Sequence, residues 1–487
     1  MSVPLPDWLS HRARSLPRVP AIVTGRRQLS YAALYELAAR EARALAAAGA
    51  ARGERVALIA GSSSDVIVAM HATTLLGGVF VPLNVRLAVP ELAEQLRSAD
   101  PAVVLCDGPH EDLANAATKS AGSPTPLRLP LPPVPAATAL VDAHDPDDCH
   151  SIIYTSGTTG RAKGVMLTFG NFWASATASA LNLGLDPHDR WLACLPLYHV
   201  GGLSIPIRSV IYGTAVDLHG GFDPRAVNAG ARAGYVTLLS VVPTMLGRML
   251  AADELPFDGS LRAVLVGGGP VSRSLLERAA ARGLPVVQTY GLTEAGSQVT
   301  TLAPSEAMSH LGSAGRPLLS MDLRVAAASG DPGEIEIRGP AVTPGYYRDP
   351  TATAAAFGDG WLHTGDVGVL DDEGFLTVLD RRDDVIVSGG ENVYPAEVEA
   401  VLLTYPGIEA AAVVGLPDPE WGQRVTAAVV SAAPVRLTSL EPLLRSRLAG
   451  YKLPAAIEQL EALPTTASGK VQRRLVRELL AARRTGA

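Results

Sequence analysis

The stretch Thr155-Ser156-Gly157-Thr158-Thr159-Gly160-Arg161-Ala162-Lys163-Gly164 directly follows the apolar run Ser151-Ile152-Ile153. Few folds can use such a junction. A buried strand that opens into hydroxyls and glycines and closes on a lysine is suited to wrapping polyphosphate. Gly157, Gly160 and Gly164 let backbone approach anionic oxygens, the Ser and Thr hydroxyls donate to them, and Lys163 neutralises charge. A Walker loop needs Ser or Thr after its lysine to hold magnesium, and Gly164 stands there instead. A flexible linker could share this composition, but linkers seldom join a buried strand to a terminal cation. The expectation is a nucleoside triphosphate on a fold other than the P-loop one.

At 487 residues the chain exceeds what one hydrophobic core serves, so two or more domains are expected. With 47% hydrophobic and 18% charged residues it should be compact rather than disordered. A net charge of −7 without a long basic run argues against nucleic acid as a partner. Cys106, Cys149 and Cys194 form no Cys-x-x-Cys pair, so neither disulfides nor structural zinc are expected. Asp7, His11, Arg12 and Arg14 interrupt any signal-like apolar core, and no uncharged run is long enough to cross a bilayer. A cytoplasmic protein without membrane insertion is expected, and a homodimer is compatible with the composition.

Ser30 can cap a helix through about Ala48, with Gly49 as its stop. Short apolar strands then recur between helical stretches at 56–60, 102–105, 236–239, 263–266 and 285–288, the pattern of an α/β protein with largely parallel sheets. The proline cluster from Ser123 to Pro135 reads as an exposed loop. From Met321 the texture changes, because Glu334-Ile335-Glu336-Ile337-Arg338 alternates with period two. The predicted organisation is a large domain over 1–380 of parallel α/β subdomains, with a small β subdomain at about 321–380. A smaller α+β domain over 381–487 has its own strands (410–414, 427–430) and helices (395–403, 437–448).

Six ordered segments resemble the acyl-adenylate-forming enzymes, the superfamily of acyl-CoA synthetases, peptide-synthetase adenylation domains and luciferases. They are the loop from Thr155 to Gly164, Leu195-Pro196-Leu197-Tyr198-His199, Tyr290-Gly291-Leu292-Thr293-Glu294, Trp361-Leu362-His363-Thr364-Gly365-Asp366, Asp380-Arg381-Arg382-Asp383-Asp384 with Ser388-Gly389-Gly390-Glu391-Asn392, and Pro464-Thr465-Thr466-Ala467-Ser468-Gly469-Lys470. The resemblance implies ATP, Mg2+ and coenzyme A. It places the β- and γ-phosphates on Thr155, Ser156, Gly157, Thr158, Thr159 and Lys163, the α-phosphate on Thr293, and magnesium on Glu294. Tyr290 would pack on adenine beside Thr289, while Asp366 and Arg381 would hold the ribose. Lys470 would reach from a mobile C-terminal domain to the attacking carboxylate, with Asp383 as hinge. Gly389 and Gly390 would line the thiol tunnel, His199 would gate it, and Trp421 would stack near CoA. Activation itself needs charge stabilisation across the phosphates rather than a side-chain nucleophile. Arg473 and Arg474 read as part of an exposed basic tail.

Ser388 to Pro395 resembles the CoA ligases more than peptide-synthetase domains, and the short stretch after Lys470 leaves no room for a carrier domain. CoA is therefore the expected acceptor. Within that group, Asp7-Trp8-Leu9 with Arg12-Ala13, Gln288 to Gln298 and Gly312 to Pro317 resemble the o-succinylbenzoate–CoA ligases of menaquinone biosynthesis. That acid carries two carboxylates, of which only the succinyl one is activated, so the other must meet a cation or several donors in its pocket. Arg208 and Ser240 match pocket positions of such ligases, and Gly268, Gly269 and Ser297 are read as further walls of the acyl pocket. A surface salt bridge is the plainer reading of Arg208. Ligases for other aryl or medium-chain acids, and a non-catalytic adenylate-binding regulator, are the alternatives.

Overall fold

The computed structural model describes residues 3–485 except 26, 136–137, 156–161, 258, 270, 329, 382–383, 389–390, 419–420, 449 and 467–469. A six-stranded sheet runs in the order Lys163–Thr168, Cys149–Thr155, Val79–Leu83, Arg55–Ile59, Val103–Cys106, Leu127–Arg128. A nine-stranded sheet contains the parallel series Val286–Tyr290, Ala263–Val266, Leu238–Val241, Arg190–Ala193, Ala215–Leu218 and Pro20–Thr24. Parallel strands must be covered on both faces, which explains why their residues are mostly apolar. One large core spans both sheets, from Trp8 and Tyr31 through Phe80 and Phe172 to Trp191.

The α/β expectation holds, with shifts at the edges. The helix capped by Ser30 is Tyr31–Ala47, and the Ser30 hydroxyl accepts from the Ala33 amide. The strand expected over 236–239 lies at Leu238–Val241, because Thr237 is held outside it by the Asp189 carboxylate and the Arg190 amide. The proline cluster is not simply an exposed loop. Prolines keep it extended, so Leu127–Arg128 adds an edge strand and Leu129 and Leu131 drop into the core.

An antiparallel sheet follows, in which Trp361–Leu370 is flanked by Gly333–Arg338 and Leu376–Arg381. Its buried face, with Ile335, Ile337, Leu362 and Leu376, packs on Tyr290, Ala295 and Val299. From Ile386 onward the chain has its own cores. Ile408–Asp418 pairs with Gly422–Ser431, the helices Pro395–Leu402 and Leu437–Arg447 cover one side, and Val476 and Leu480 of the helix Arg473–Thr485 cover the other. No described helix is long and apolar enough to cross a membrane.

Beneath the helix Trp8–Ser15, buried histidines cluster: His150 stacks on Trp8, His144 meets Asp7 at 3.2 Å, and His71 lies on the buried helix Ser64–Leu75. Burial lowers the pKa of His71 to about 4, against a small opposing pull from Asp7, and also lowers that of His150. Below the unfolded-state value the unfolded chain binds more protons, so stability falls as pH drops from about 6.5 to about 4. For His71 alone the loss at pH 5 is on the order of 2 kcal/mol. Urea midpoints at pH 7.5 and pH 5 should differ less in His71→Gln than in the wild type; an unchanged difference would remove His71 from the acid response.

Candidate active site

The strand Cys149–Thr155 ends at the carboxyl edge of its sheet, and the chain returns antiparallel as Lys163–Thr168, with Lys163 directly opposite Thr155. The two ends of the phosphate-loop candidate are thus tied together by sheet register. Ser156, Gly157, Thr158 and Thr159 lie outside the described residues. Against the return strand runs Gly345–Tyr347, held by hydrogen bonds from the Met166 amide to the Gly345 carbonyl (3.1 Å) and from the Tyr347 amide to the Gly164 carbonyl (2.7 Å). This places the Tyr346 ring under the Lys163 ammonium, 5.0 Å from the ring centre, while the Tyr346 hydroxyl donates to Glu294 Oε1 at 3.0 Å. The Thr343 amide also donates to the Glu294 carbonyl. Tyr346 therefore joins the candidate phosphate lysine to the candidate metal carboxylate. A fixed carboxylate oxygen beside a cation-lined loop fits a magnesium–triphosphate complex.

Thr293 and Glu294 sit on the short turn Thr293–Ala295 just past the strand Val286–Tyr290. The chain folds back so tightly that a Cβ on Gly291 would lie 1.6 Å from the Ser297 carbonyl oxygen, which only glycine avoids. The same crossing leaves Ser297 at φ 119°, a strained value for a residue with a side chain. Tyr290 is buried, and its hydroxyl donates to Asp366 Oδ2 at 2.7 Å. Asp366 stands directly opposite Arg381 in the antiparallel ladder, so backbone register alone brings together the two residues expected at the ribose. The Thr289 hydroxyl points away into the sheet, toward the Thr300 carbonyl and the Thr301 hydroxyl, leaving its backbone to serve a ligand.

Arg208 lies on the helix Val200–Tyr212 and is 3% exposed, so it is no surface ion pair. Among the described residues no carboxylate pairs with it. One Nη donates to Ser175 Oγ at 3.1 Å, Ser175 in turn to the Gly296 carbonyl, and Nε is buried with no partner among the described residues. The guanidinium also lies 5.8 Å from the centre of the Trp191 ring, and the Trp191 indole donates to Ser240 Oγ at 3.0 Å. Ser240, Trp191, Arg208, Ser175 and Gly296-Ser297 are thus one connected wall. Burial lowers the Arg208 pKa, yet a guanidinium remains charged, so the wall holds a desolvated cation in want of an anion. Gly268, at φ 79°, lies past the neighbouring strand Ala263–Val266, and a side chain on Gly269 would meet nothing within 4 Å. His199 is the N-cap residue of the Arg208 helix, with no side-chain capping bond and with Nε2 buried and without a partner among the described residues; burial first, then Arg86, brings its pKa down to about 4, so the ring is neutral.

In the C-terminal unit Lys470 is exposed, and its loop is closed by hydrogen bonds between Thr466 and Lys470 (2.7 and 3.1 Å). Trp421 is 42% exposed, so its ring is open to a ligand rather than packed in a core. Asp383, Gly389 and Gly390 lie outside the described residues, as does the side chain of Arg381. Arg473 corrects the expected basic tail: it is 8% exposed and bonded to Asp380, Asp384 and Glu399. The basic run conceals it, because only the fold shows which of two adjacent arginines turns inward. Tyr346, Trp191 and Ser175 also escaped the sequence reading. Only the Thr343-Pro344-Gly345-Tyr346 turn carries a local signal, since its neighbours are distant in the chain.

Residues 9–347 match the AMP-binding enzyme family and residues 397–470 the AMP-binding enzyme C-terminal domain. A 2-succinylbenzoate–CoA ligase of Geobacillus kaustophilus is 45% identical, with 98% of each chain covered. The o-succinylbenzoate CoA synthetase of Bacillus subtilis, solved with the acyl-adenylate intermediate, is 38% identical over 98% of both chains with a TM-score of 0.92. A double mutant of that synthetase, bound to a product analogue, has the same identity and coverage with a TM-score of 0.76.

The Tyr346 bridge predicts that Tyr346→Phe weakens magnesium–ATP binding about tenfold by calorimetry, the worth of one charge-assisted hydrogen bond. Tyr346→Ala, which also removes the ring beneath Lys163, should cost more. Unaltered ATP affinity in both variants would take Tyr346 out of the site.

Proposed function

The chain belongs to the AMP-binding enzyme family, and from that membership together with the site's geometry we propose that it is an ATP-dependent 2-succinylbenzoate–CoA ligase. The buried Arg208, with no carboxylate beside it among the described residues, carries this reading. A pocket for a simple aryl or fatty acid gains nothing from a desolvated cation, whereas a substrate with a second carboxylate supplies the missing charge. The named relatives, a 2-succinylbenzoate–CoA ligase and an o-succinylbenzoate CoA synthetase, support the same acid.

In the first half-reaction an oxygen of the succinyl carboxylate attacks the α-phosphorus of ATP. The bond to pyrophosphate breaks, and an acyl-adenylate forms. Glu294, steadied by Tyr346, would hold the magnesium ion, whose charge offsets that of the phosphates. Thr155, Ser156, Gly157, Thr158, Thr159 and Lys163 would serve the β- and γ-phosphates, Thr293 would serve the α-phosphate, and Lys470 would stabilise the approach of the two anions. Tyr290 and Thr289 flank adenine, and Asp366 with Arg381 orients the ribose. Arg208 anchors the ring carboxylate, with Ser240, Gly268, Gly269 and Ser297 around the acid, so that only the succinyl end reaches ATP.

In the second half-reaction the CoA sulfur attacks the acyl carbonyl, AMP departs with the bonding pair, and the thiol proton is released. A unit comprising 381–487 turns about Asp383 relative to 1–380, withdrawing Lys470 and bringing Gly389, Gly390 and Trp421 toward the pantetheine path. The neutral His199 ring then separates acid pocket from thiol path without adding a charge.

Arg208→Met should raise KM for 2-succinylbenzoate at least a hundredfold while leaving KM for ATP unchanged, the signature of lost substrate binding. Ordinary steady-state kinetics with both substrates decides this, and an unaltered acid KM would contradict the anchoring role. Lys470→Ala should abolish pyrophosphate release while retaining thioester formation from supplied acyl-adenylate; equal damage to both steps would contradict the two-orientation scheme.

A further inference from the structure

Asp380 lies on the strand Leu376–Arg381, opposite Val367 and beside the Asp366–Arg381 pair, and so belongs to the sheet that precedes the proposed hinge. Its carboxylate is nonetheless engaged by two donors from beyond the hinge. Oδ1 accepts from Arg473 Nη1 at 2.9 Å, and Oδ2 accepts at 2.8 Å from the Ala396 amide in the first turn of the helix Pro395–Leu402. Arg473 is held from its own side as well: Glu399 takes two of its N–H groups, at 3.1 and 2.8 Å, and also accepts from the Val413 amide at 2.8 Å. Asp384 adds a contact at 3.2 Å. Arg473 follows Lys470 by three residues and opens the helix Arg473–Thr485. Asp380 and Arg473 are both buried.

We infer that Asp380 and Arg473 form a latch across the hinge, which holds the C-terminal unit in the orientation that presents Lys470 to the nucleotide. Rotation about Asp383 leaves the contacts of Arg473 with Glu399 and Asp384 intact, because all three lie beyond the pivot. It must break the two bonds to Asp380, which lies before it. Both of these partners are donors, so the two acceptor oxygens of Asp380 are used together. Asparagine would set an NH2 against an N–H at one of them. The chain superposes better on the adenylate-bound relative than on the product-analogue-bound double mutant, which supports assigning the closed latch to the adenylate-like arrangement. Asp380 also sits one residue from Arg381, which links the latch to the proposed ribose contact. These are positioning residues, acting through Lys470.

The inference rests on the two-orientation reading, and its test separates the two. The two half-reactions are measured independently, with whichever acid the wild type activates, for Asp380→Asn and Lys470→Ala. Asp380→Asn should lower pyrophosphate release about tenfold or more relative to thioester formation from supplied acyl-adenylate, with thioester formation unchanged or faster. A residue with a merely structural role would lower both rates together. If Lys470→Ala separates the half-reactions and Asp380→Asn shifts both equally or neither, the latch is wrong and the rotation stands. If Lys470→Ala fails to separate them, the rotation falls and takes the latch with it. Should Asp380→Asn not fold, Arg473→Lys, which keeps the charge but cannot span three carboxylates, is read by the same ratio.

Discussion

Arg208 is withdrawn from water between the helices Phe169–Leu183 and Val200–Tyr212 without a described carboxylate beside it. Desolvating an ion costs several kcal/mol even after relaxation, and one serine hydroxyl with an indole face returns only part of that. The groups around Arg208 take their positions from the need to support this charge. Ser175 ties it to the strained Gly296-Ser297 turn, and Trp191 ties it to Ser240 on the next strand. On the proposed reading, an anionic substrate group completes this arrangement, and the charge then bears on specificity more than on stability.

The nucleotide half is organised by backbone register instead. Antiparallel returns at the ends of otherwise parallel sheets set Lys163 against Thr155, and the antiparallel subdomain sets Asp366 against Arg381. These pairings fix backbone positions through register, and the Asp366 and Lys163 side chains are then steadied by Tyr290 and Tyr346. Tyr346 links the two regions of charge by contacting both Lys163 and Glu294. The Asp366 ladder then continues to Asp380, where the C-terminal unit is fastened. The proposed latch residue Asp380 and the proposed ribose contact Arg381 are thus adjacent in the chain.

Much of this was legible in the chain itself. The α/β alternation, the period-two strand at Gly333–Arg338 and the separate C-terminal strands follow from hydrophobic patterning, which burial enforces locally. The loop candidate Thr155 to Lys163 and the Tyr290 and Asp366 segments were readable because their chemistry is contiguous. Arg473, Tyr346 and Trp191 were not, because each acts through partners far away in sequence: Asp380, Glu294 and Ser240, respectively. Arg208 fell between these cases. Its match to a pocket position of such ligases could be recognised, but only the fold reveals that it has no counter-charge among the described residues.

The most direct test compares the wild-type enzyme on two acids that differ only at the group Arg208 is held to meet. These are 2-succinylbenzoate and 4-oxo-4-phenylbutanoate, which keeps the activated carboxylate and lacks the one on the ring. If the buried guanidinium is the substrate's counter-charge, kcat/KM for CoA-thioester formation should fall by a factor of about 100 to 1,000 when the ring carboxylate is absent, the range for a charged hydrogen-bonded pair left unpaired. Comparable kcat/KM for the two acids would contradict the assignment of both the substrate and the role of Arg208.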